Sequence, residues 1–247
     1  MIRKDQSYYL GMLFPAMLVL LLFIATPIGQ SIFLSVHRII IGLPQLNTPF
    51  VGLDNYQQLL TDPVARHSFW VTIIFVGTTT FFELLIGLLL ALLIHHRFPG
   101  RGALRACVLI PWAIPTVVAA QMWRFLLNDA YGMVNYAVFG SETSHYIPWL
   151  AQPATALVAI IIADIWKTSS FAALLILAGL QVIPEEIYQA AKVDGAVVWR
   201  RFWHITLPLL RPAIVIVVIM RAMIALSAFA AIFAATGGGP GTATEIL

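Results

Sequence analysis

Long apolar runs are the feature that most constrains the fold of this chain. No charged residue occurs between Asp5 and Arg38, and four further stretches are similarly apolar. A helix needs about 20 mostly apolar residues to cross about 30 Å of hydrocarbon. The runs therefore predict five membrane-spanning segments: Leu10–Val36, Phe69–Ile94, Ala106–Leu126, Ala154–Leu180 and Ala213–Ala235.

The composition and the pattern of these runs favour helices over strands. The apolar residues form unbroken stretches without the alternation of a membrane β-barrel, and helices satisfy all their backbone polar groups in lipid. Only 10% of the residues are charged, against about 25% in soluble domains. The sequence predicts an all-α membrane protein, a bundle of transmembrane helices that forms a single domain over 1–247.

Lys and Arg are distributed unevenly between the two sets of loops. With the N-terminus inside, nine lie on the inner side and three on the outer side, which the positive-inside rule favours. The inner set is Arg3, Lys4, Arg97, Arg101, Arg105, Lys192, Arg200, Arg201 and Arg211, and the outer set is Arg38, Arg66 and Arg124. We therefore expect a multi-pass protein with a cytoplasmic N-terminus.

A polar segment, residues 184–208, interrupts the apolar chain on the predicted cytoplasmic side. Pro184 suits the first position of a helix, and Asp194-Gly195 is a break signal. A second helix is expected from Ala196 to about Thr206, and Pro208 and Pro212 are expected to close the segment before the next span. The segment is predicted to form a helical hairpin, which we call the polar hairpin.

The surface of the polar hairpin has two interpretations. Its small residues, Ala190, Ala191 and Gly195, allow another backbone to approach, and aromatic and Arg residues are enriched at protein interfaces. The same Trp and Arg residues also suit a helix that lies on anionic lipid. The residues alone favour neither a protein partner nor the lipid surface.

Four ionisable residues lie inside the predicted spans: Glu83, Asp164, Lys167 and Arg221. Such groups are costly in lipid and usually face a partner or a cavity. The three-residue spacing predicts an Asp164–Lys167 pair on one helix face, and Glu83 can pair with Arg221 across the bundle. Alternatively these residues line a polar path, with Trp123, Trp166 and Phe171 as stacking surfaces.

Several functional classes find no support in the residues. The net charge of +3 gives little basis for nucleic-acid binding, and a single Cys107 cannot form an internal disulfide. No Gly-x-x-x-x-Gly-Lys phosphate loop occurs, and adjacent His95 and His96 point in different directions on a helix. We therefore predict no enzymatic activity, no metal and no cofactor in this chain.

The polar hairpin resembles the EAA loop of permease subunits of bacterial ATP-binding-cassette importers. That pattern is Glu-Ala-Ala, three residues, Gly, nine residues, Ile, one residue and Leu-Pro. Here Ala190-Ala191 precede Gly195 by the family spacing, and Ile205 and Leu207-Pro208 follow at theirs. The departure is Gln189, which stands where the family has Glu and can still form hydrogen bonds.

The resemblance extends to the carbohydrate-uptake permeases of the maltose-importer type. "FVGLDNYQQLLTDP" looks like their first outer loop, and "RGALRACVLIPWAIPTVVAAQMWRFLLN" looks like their third span. "TGGGPGTATEIL" looks like the segment before their last span. The family fold, that of type I importers, has a sixth helix there, so the resemblance implies five visible spans and a last helix missing from the C-terminus.

The resemblance implies a sugar, polyol or glycoside permease of the bacterial inner membrane. Its partners would be a second permease subunit, two ATP-binding subunits that hold ATP and Mg, and an extracytoplasmic solute-binding protein. ATP hydrolysis would occur in the separate subunits. The residues implied to dock the ATPase are Glu186, Gln189, Ala190, Ala191, Asp194, Gly195, Ile205, Leu207 and Pro208.

Two other classes of function remain open at this point. A secondary transporter driven by an ion gradient would use Glu83 and Asp164 as proton relays. The spacing of the hairpin pattern and the lack of a visible inverted repeat argue against it. A lipid-embedded scaffold subunit is the third class. In the importer interpretation, the candidate translocation path comprises Glu83, Trp123, Asp164, Trp166, Lys167 and Arg221.

Overall fold

The computed structural model describes residues 2–39, 49–96, 98–237, 239–241 and 243–244, with the backbone alone at 2–10 and 229–231. No strand occurs in these ranges, which confirms the all-α prediction. The helices are α1 (Ile2–Leu20), α2 (Thr26–Ser35), α3 (Asp54–Thr61), α4 (Pro63–His95), α5 (Arg101–Ala113), α6 (Thr116–Leu126), α7 (Met133–Phe139), α8 (Pro153–Val182), α9 (Glu185–Val193), α10 (Val198–Arg201), α11 (Leu207–Leu226) and α12 (Phe229–Thr236). Arg97 and residues 245–247, used above to assign an inner loop and the approach to a sixth span, lie outside the described residues.

In the part of the chain that the structure describes, four helical stretches are long and apolar enough to cross a membrane, and a bent helix pair raises the number to five. The four are Gly11–Ser35, Pro63–His95, Pro153–Val182 and Val198–Leu226. The predicted span over Ala106–Leu126 is bent in the structure, because α5 and α6 meet at 92°. Pro115 disfavours the helical conformation for the preceding residue, and Ile114 is extended at ψ 130°.

The fifth span also differs from its prediction of Ala213–Ala235. Its helix runs over Val198–Leu226, and Ser227 and Ala228 form a turn before the separate helix α12. The hydropathy of the two helices merges in the sequence, so the turn between them could not be located by composition.

Two proline residues are accommodated by wider π-helical turns. A proline ring within a helix clashes with the carbonyl four residues earlier. For Pro27 that residue is Phe23, inside the π segment Leu21–Ala25. For Pro208 it is His204, inside the π segment Phe202–Thr206. The same spacing in both helices indicates that the wider turn makes room for the ring and lets the helix continue.

The contacts group into two units, residues 1–66 and 67–247. In the first unit, the Asn55 amide donates hydrogen bonds to the carbonyls of Ser35 at 2.8 Å and His37 at 3.1 Å. The Tyr56 hydroxyl donates to the Ser35 hydroxyl at 2.8 Å. These bonds attach the start of α3 to the end of α2, because they satisfy carbonyls that a helix end leaves free.

In the second unit, α8 is the central helix and packs against α5, α6, α11 and α12. One apolar cluster includes Ala172, Ile176 and Leu210. A second cluster lies nearer the other end of α8 and includes Phe75 and Ile160. Small residues let α4 approach α8 closely. A Cβ at Gly87 of α4 would lie 2.8 Å from the Ala172 Cβ of α8. Small residues at helix contacts are typical of membrane bundles.

We expect Gly87→Ala to destabilise the protein and Gly77→Ala, on the same helix α4, to stabilise it slightly. The added methyl at position 87 would also lie 3.0 Å from the Ala173 backbone nitrogen, whereas nothing lies within 4 Å at position 77. Overpacking costs about 1–3 kcal/mol, and alanine in an open helical position gains up to about 1 kcal/mol. Thermal unfolding in detergent, followed by tryptophan fluorescence, measures both. Equal shifts of the two variants would contradict the close contact.

Candidate functional site

The first arm of the polar hairpin is α9, which ends in a glycine-dependent cap. Pro184 precedes the helix in an extended conformation, at φ −60° and ψ 136°, so the prediction that it is the first helical residue is wrong by one position. At the other end, Gly195 adopts φ +74°. Its N–H donates to the Lys192 carbonyl at 3.0 Å, and the Ala196 N–H donates to the Ala191 carbonyl at 2.9 Å. This is the Schellman pattern, which favours glycine at that position.

The second arm of the polar hairpin is continuous with the following span. The helix starts at Val198, passes through the π segment Phe202–Thr206 and continues into α11. The prediction that Pro208 closes the hairpin is therefore wrong, because the wider turn absorbs the proline. The consequence is that the polar hairpin and the intramembrane part of α11 form one helical body.

The residues predicted to dock a partner separate into two groups. Those on the first arm and in its turn are exposed, apart from the buried Ala191; the exposed set is Glu186, Gln189, Ala190, Asp194 and Gly195. Those on the second arm, Ile205, Leu207 and Pro208, are half-buried. The exposed surface available to a protein partner is thus the first arm, and the second-arm positions contribute to the packing that supports it.

Two side chains that the sequence analysis did not single out join the arms of the polar hairpin. The Tyr188 hydroxyl lies 3.1 Å from the hydroxyl of Thr206, which is buried. A hydrogen bond between neighbouring arms restricts the angle between them. The sequence offers only a weak indication of this pair, because each arm merely has a polar residue on an otherwise apolar helix face.

Inside the predicted membrane region, Arg221 joins three helices. Its Nη2 donates to Glu83 Oε1 at 2.6 Å, and its Nε donates to Glu83 Oε2. The same Nη2 lies 3.3 Å from Asp164 Oδ2. Glu83 is on α4, Asp164 on α8 and Arg221 on α11. We call these three residues the charge cluster, and its Glu83–Arg221 pair confirms the pairing considered from the sequence.

The charge cluster contradicts the predicted Asp164–Lys167 pair. Asp164 interacts with Arg221 from another helix, and no carboxylate lies within 4 Å of Lys167 among the described residues. The hydroxyl of Thr168, which the sequence analysis missed, donates to the Glu83 carboxylate. The sequence feature that could have identified Thr168 is a hydroxyl residue one turn from Asp164 on the same side of α8. Local spacing could not identify the partner of Asp164, since helix rotation decides which helix Asp164 faces.

A cleft between α6 and α8 contains half of the predicted path residues. Trp123, Asp164 and Lys167 line it, with mostly small apolar neighbours. Glu83 and Arg221 are less than 2% exposed and lie inside the bundle, and Trp166 packs edge-on against Trp123 with ring centroids 5.8 Å apart. Phe171 stacks on Trp112. The cleft thus presents one carboxylate, one ammonium, one indole ring and the guanidinium of Arg124.

The indole N–H of Trp123 is an unused donor in this cleft. Its Nε1 is shielded and has no hydrogen-bond partner among the described residues. Leaving a buried donor unpaired costs about 1–3 kcal/mol, so a ligand acceptor there would recover that energy. Together with Lys167 and Asp164, the donor gives the cleft the means to bind hydroxyl groups.

No metal-ligand group stands out in the described part of the chain. Among those residues, no set of three or more His, Cys, Asp and Glu side chains is close enough to hold a metal ion. The rings of His95 and His96 have centroids 6.4 Å apart. The expectation that this chain needs no metal or cofactor stays a prediction.

Comparison with known proteins was made against families, sequences and structures. The family described as "Binding-protein-dependent transport system inner membrane component" matches residues 83–247. The trehalose/maltose transport system permease protein MalF of Thermococcus litoralis is 43% identical over 98% of this chain and 81% of the relative. The sulfoquinovosyl glycerol transport system permease protein SmoG of Agrobacterium fabrum is 41% identical over 98% of this chain and 78% of the relative.

A solved structure with a similar fold is that of a bacterial alginate ABC transporter in complex with an alginate pentasaccharide-bound periplasmic protein. One chain of it aligns with a TM-score of 0.78 and 26% identity, covering 99% of this chain and 80% of that chain. The polar hairpin, the charge cluster and the cleft all lie within residues 83–247, the part of the chain that the family match covers.

We expect Arg221→Met to destabilise the protein by about 3–5 kcal/mol, because it leaves two intramembrane carboxylates without their cation. The double variant Glu83→Leu with Arg221→Met is expected to lose less than the sum of the single variants, since the buried charge is removed with its partner. Lys167→Met is the control and is expected to destabilise the protein less than Arg221→Met, because no carboxylate of the described residues lies within 4 Å of that ammonium. The free energy of unfolding is measured in detergent for Arg221→Met, Glu83→Leu, the double variant and Lys167→Met. Additive losses would contradict a coupled charge cluster.

Proposed function

Because the chain belongs to the family of binding-protein-dependent transport system inner membrane components, we propose that it is the transmembrane permease subunit of an ATP-driven importer. The proposed substrate is a sugar or a related polyol or glycoside. Its similarity to the trehalose/maltose permease MalF and the sulfoquinovosyl glycerol permease SmoG supports this substrate class. The ion-gradient alternative finds no such support among them.

The observation that carries the proposal is the continuity between the polar hairpin and the charge cluster. From Val198 to Arg221 the second arm and α11 extend for about 35 Å as one helix. A displacement of the polar hairpin is therefore transmitted along a stiff body to Arg221. The bidentate bond to Glu83 and the contact to Asp164 carry it to α4 and α8.

The proposed partner at the polar hairpin is an ATP-binding subunit. The exposed first arm includes the small residues Ala190 and Gly195, which let a partner approach its backbone, and its acidic first turn and Asp194 supply polar contacts. ATP and Mg would be bound by two such subunits, so this chain would not be an enzyme and would need no cofactor of its own. The excess of Lys and Arg on the hairpin's side supports a cytoplasmic location for the polar hairpin and the N-terminus.

The further partners are a second permease subunit and an extracytoplasmic solute-binding protein. The complex of the alginate transporter with its periplasmic protein supports the latter. The cleft with Trp123, Asp164 and Lys167 is proposed as part of the translocation path. Closure of the ATP-binding subunits would shift the population between inward-open and outward-open states.

The transport proposal is tested by reconstituting the purified complex in vesicles with ATP inside and no ion gradient. We expect uptake of a radiolabelled sugar delivered by the solute-binding protein, with simultaneous hydrolysis of ATP. Vesicles with a proton or sodium gradient but no ATP are the control, and these are expected to accumulate nothing. Uptake that needs the gradient and not ATP would overturn the importer proposal.

The docking proposal is tested by Gly195→Asp. The turn at Gly195 is open, with nothing within 4 Å of a new Cβ, so the change projects a charged side chain towards the docked subunit. We expect about tenfold or greater loss of the co-purifying ATP-binding subunit, while the second permease subunit is retained.

Gly100→Asp is the matched control for backbone strain. Gly100 also has a left-handed conformation, at φ +87°, and equally open surroundings, but it lies outside the polar hairpin. We expect this variant to retain the ATP-binding subunit. Equal recovery of that subunit from both variants and from the unmodified protein would refute docking at the first arm.

A further inference from the structure

A second crevice lies between α5 and α8, apart from the cleft that contains Trp123. Its volume is about 290 Å³, close to the lower end of the range for small-ligand pockets, about 300–1,000 Å³. The walls are mostly apolar, with Val108, Leu174 and Leu177 among them. Arg105, Ser170 and Gln181 supply the polar groups. None of these residues takes part in the charge cluster or the polar hairpin.

Arg105 is the unusual feature of this crevice. Its Nε and Nη2 are shielded, and neither has a hydrogen-bond partner within the described ranges. No carboxylate lies within 4 Å of it among the same residues. A guanidinium without an acceptor is costly in a low-dielectric place. By contrast, the Nε and Nη2 of Arg221 in the same bundle both donate to carboxylates. Among the residues that line the crevice, none supplies an anion for Arg105.

The polar and apolar parts of the crevice are separated along the membrane normal. Arg105 lies in the second turn of α5, and Gln181 lies one residue before the end of α8 at Val182. Both are therefore near the hairpin side of the membrane. Deeper in the crevice the lining is apolar up to Ser170, about three turns along α8 from Gln181. One cationic mouth and an apolar interior match an amphiphile with an anionic head.

We propose that this crevice binds an anionic phospholipid of the leaflet on the hairpin side, with its phosphate on the Arg105 guanidinium. Arginine forms charge-assisted, often bidentate, hydrogen bonds with phosphate. Gln181 supplies a further donor at the mouth, and an acyl chain covers the apolar walls. Basic pockets between membrane helices are a general means of binding anionic headgroups. This assignment concerns a lipid site and does not depend on the transported substrate.

The test is native mass spectrometry of the detergent-purified protein, with the subunits that accompany it, after exchange into mixed phosphatidylglycerol and phosphatidylcholine. We expect the unmodified protein to retain one phosphatidylglycerol that Arg105→Gln retains at least about fivefold less, the factor expected for loss of one cation near the headgroups. Arg211→Gln is the matched control, because Arg211 is exposed and lies outside the crevice. It is expected to retain the lipid.

A second variant tests the apolar part of the site. Ala178 lines the crevice and is exposed to it, so Ala178→Leu fills space while Arg105 stays in place. We expect the same loss of phosphatidylglycerol as in Arg105→Gln. Equal lipid retention by the unmodified protein and both variants would overturn the proposal.

Measurements of the melting temperature distinguish a lipid phosphate from free inorganic phosphate as the ligand of Arg105. Phosphatidylglycerol is expected to raise the melting temperature of the unmodified protein and of Arg211→Gln, but not that of Arg105→Gln. Inorganic phosphate added in phosphatidylcholine alone is expected to have no effect. An Arg105-dependent rise with inorganic phosphate would show a site for a free anion and overturn the assignment to a lipid.

Discussion

The bidentate ion pair between Arg221 and Glu83 is the interaction on which the second unit depends. A charge in the hydrocarbon region costs several kcal/mol unless a partner compensates it, and each of these side chains is the other's compensation. Because the two lie on α11 and α4, and Asp164 adds α8, the pair fixes how three helices face one another. Apolar contacts such as those around Ile176 and Leu210 fill space on either side, but they are less selective for one rotation of a helix than a bonded charge is.

The charge cluster is connected to the polar hairpin by the helix that contains Arg221. This helix begins in the polar hairpin and passes Pro208 without a break, since the π turn at Phe202–Thr206 accommodates the proline ring. The Schellman cap at Gly195 and the Tyr188–Thr206 contact restrict the angle of the first arm to the second. Thus the surface proposed to dock an ATP-binding subunit and a charge cluster inside the bundle belong to one connected body. This connection is the physical basis for proposing an ATP-driven permease.

Among the described side chains with an unpartnered buried polar atom, Trp123 and Arg105 also line a cavity, and they mark the other places where the bundle can bind a ligand. Trp123, whose indole N–H has no partner among the described residues, lines a cleft that also offers a carboxylate, an ammonium and the guanidinium of Arg124, an arrangement suited to hydroxyl groups. The guanidinium of Arg105 opens on a crevice with no anion of its own, which suits a phosphate. The same rule, that buried polar groups seek partners, therefore leads to different ligands, because the accompanying charges differ.

The sequence by itself determined the helical class, the number of apolar segments and the position of the polar hairpin. These follow from local properties: hydrocarbon thickness sets the length of a run, and glycine permits the turn at Gly195. It also identified Glu83, Asp164, Lys167 and Arg221, since charges stand out in apolar runs. Only the tertiary structure decided that Asp164 turns to Arg221 instead of Lys167, that α5 and α6 meet at 92°, and which side chains line the cleft. Those outcomes depend on how the helices rotate and cross. The spacing of residues along one helix does not determine where the neighbouring helices lie.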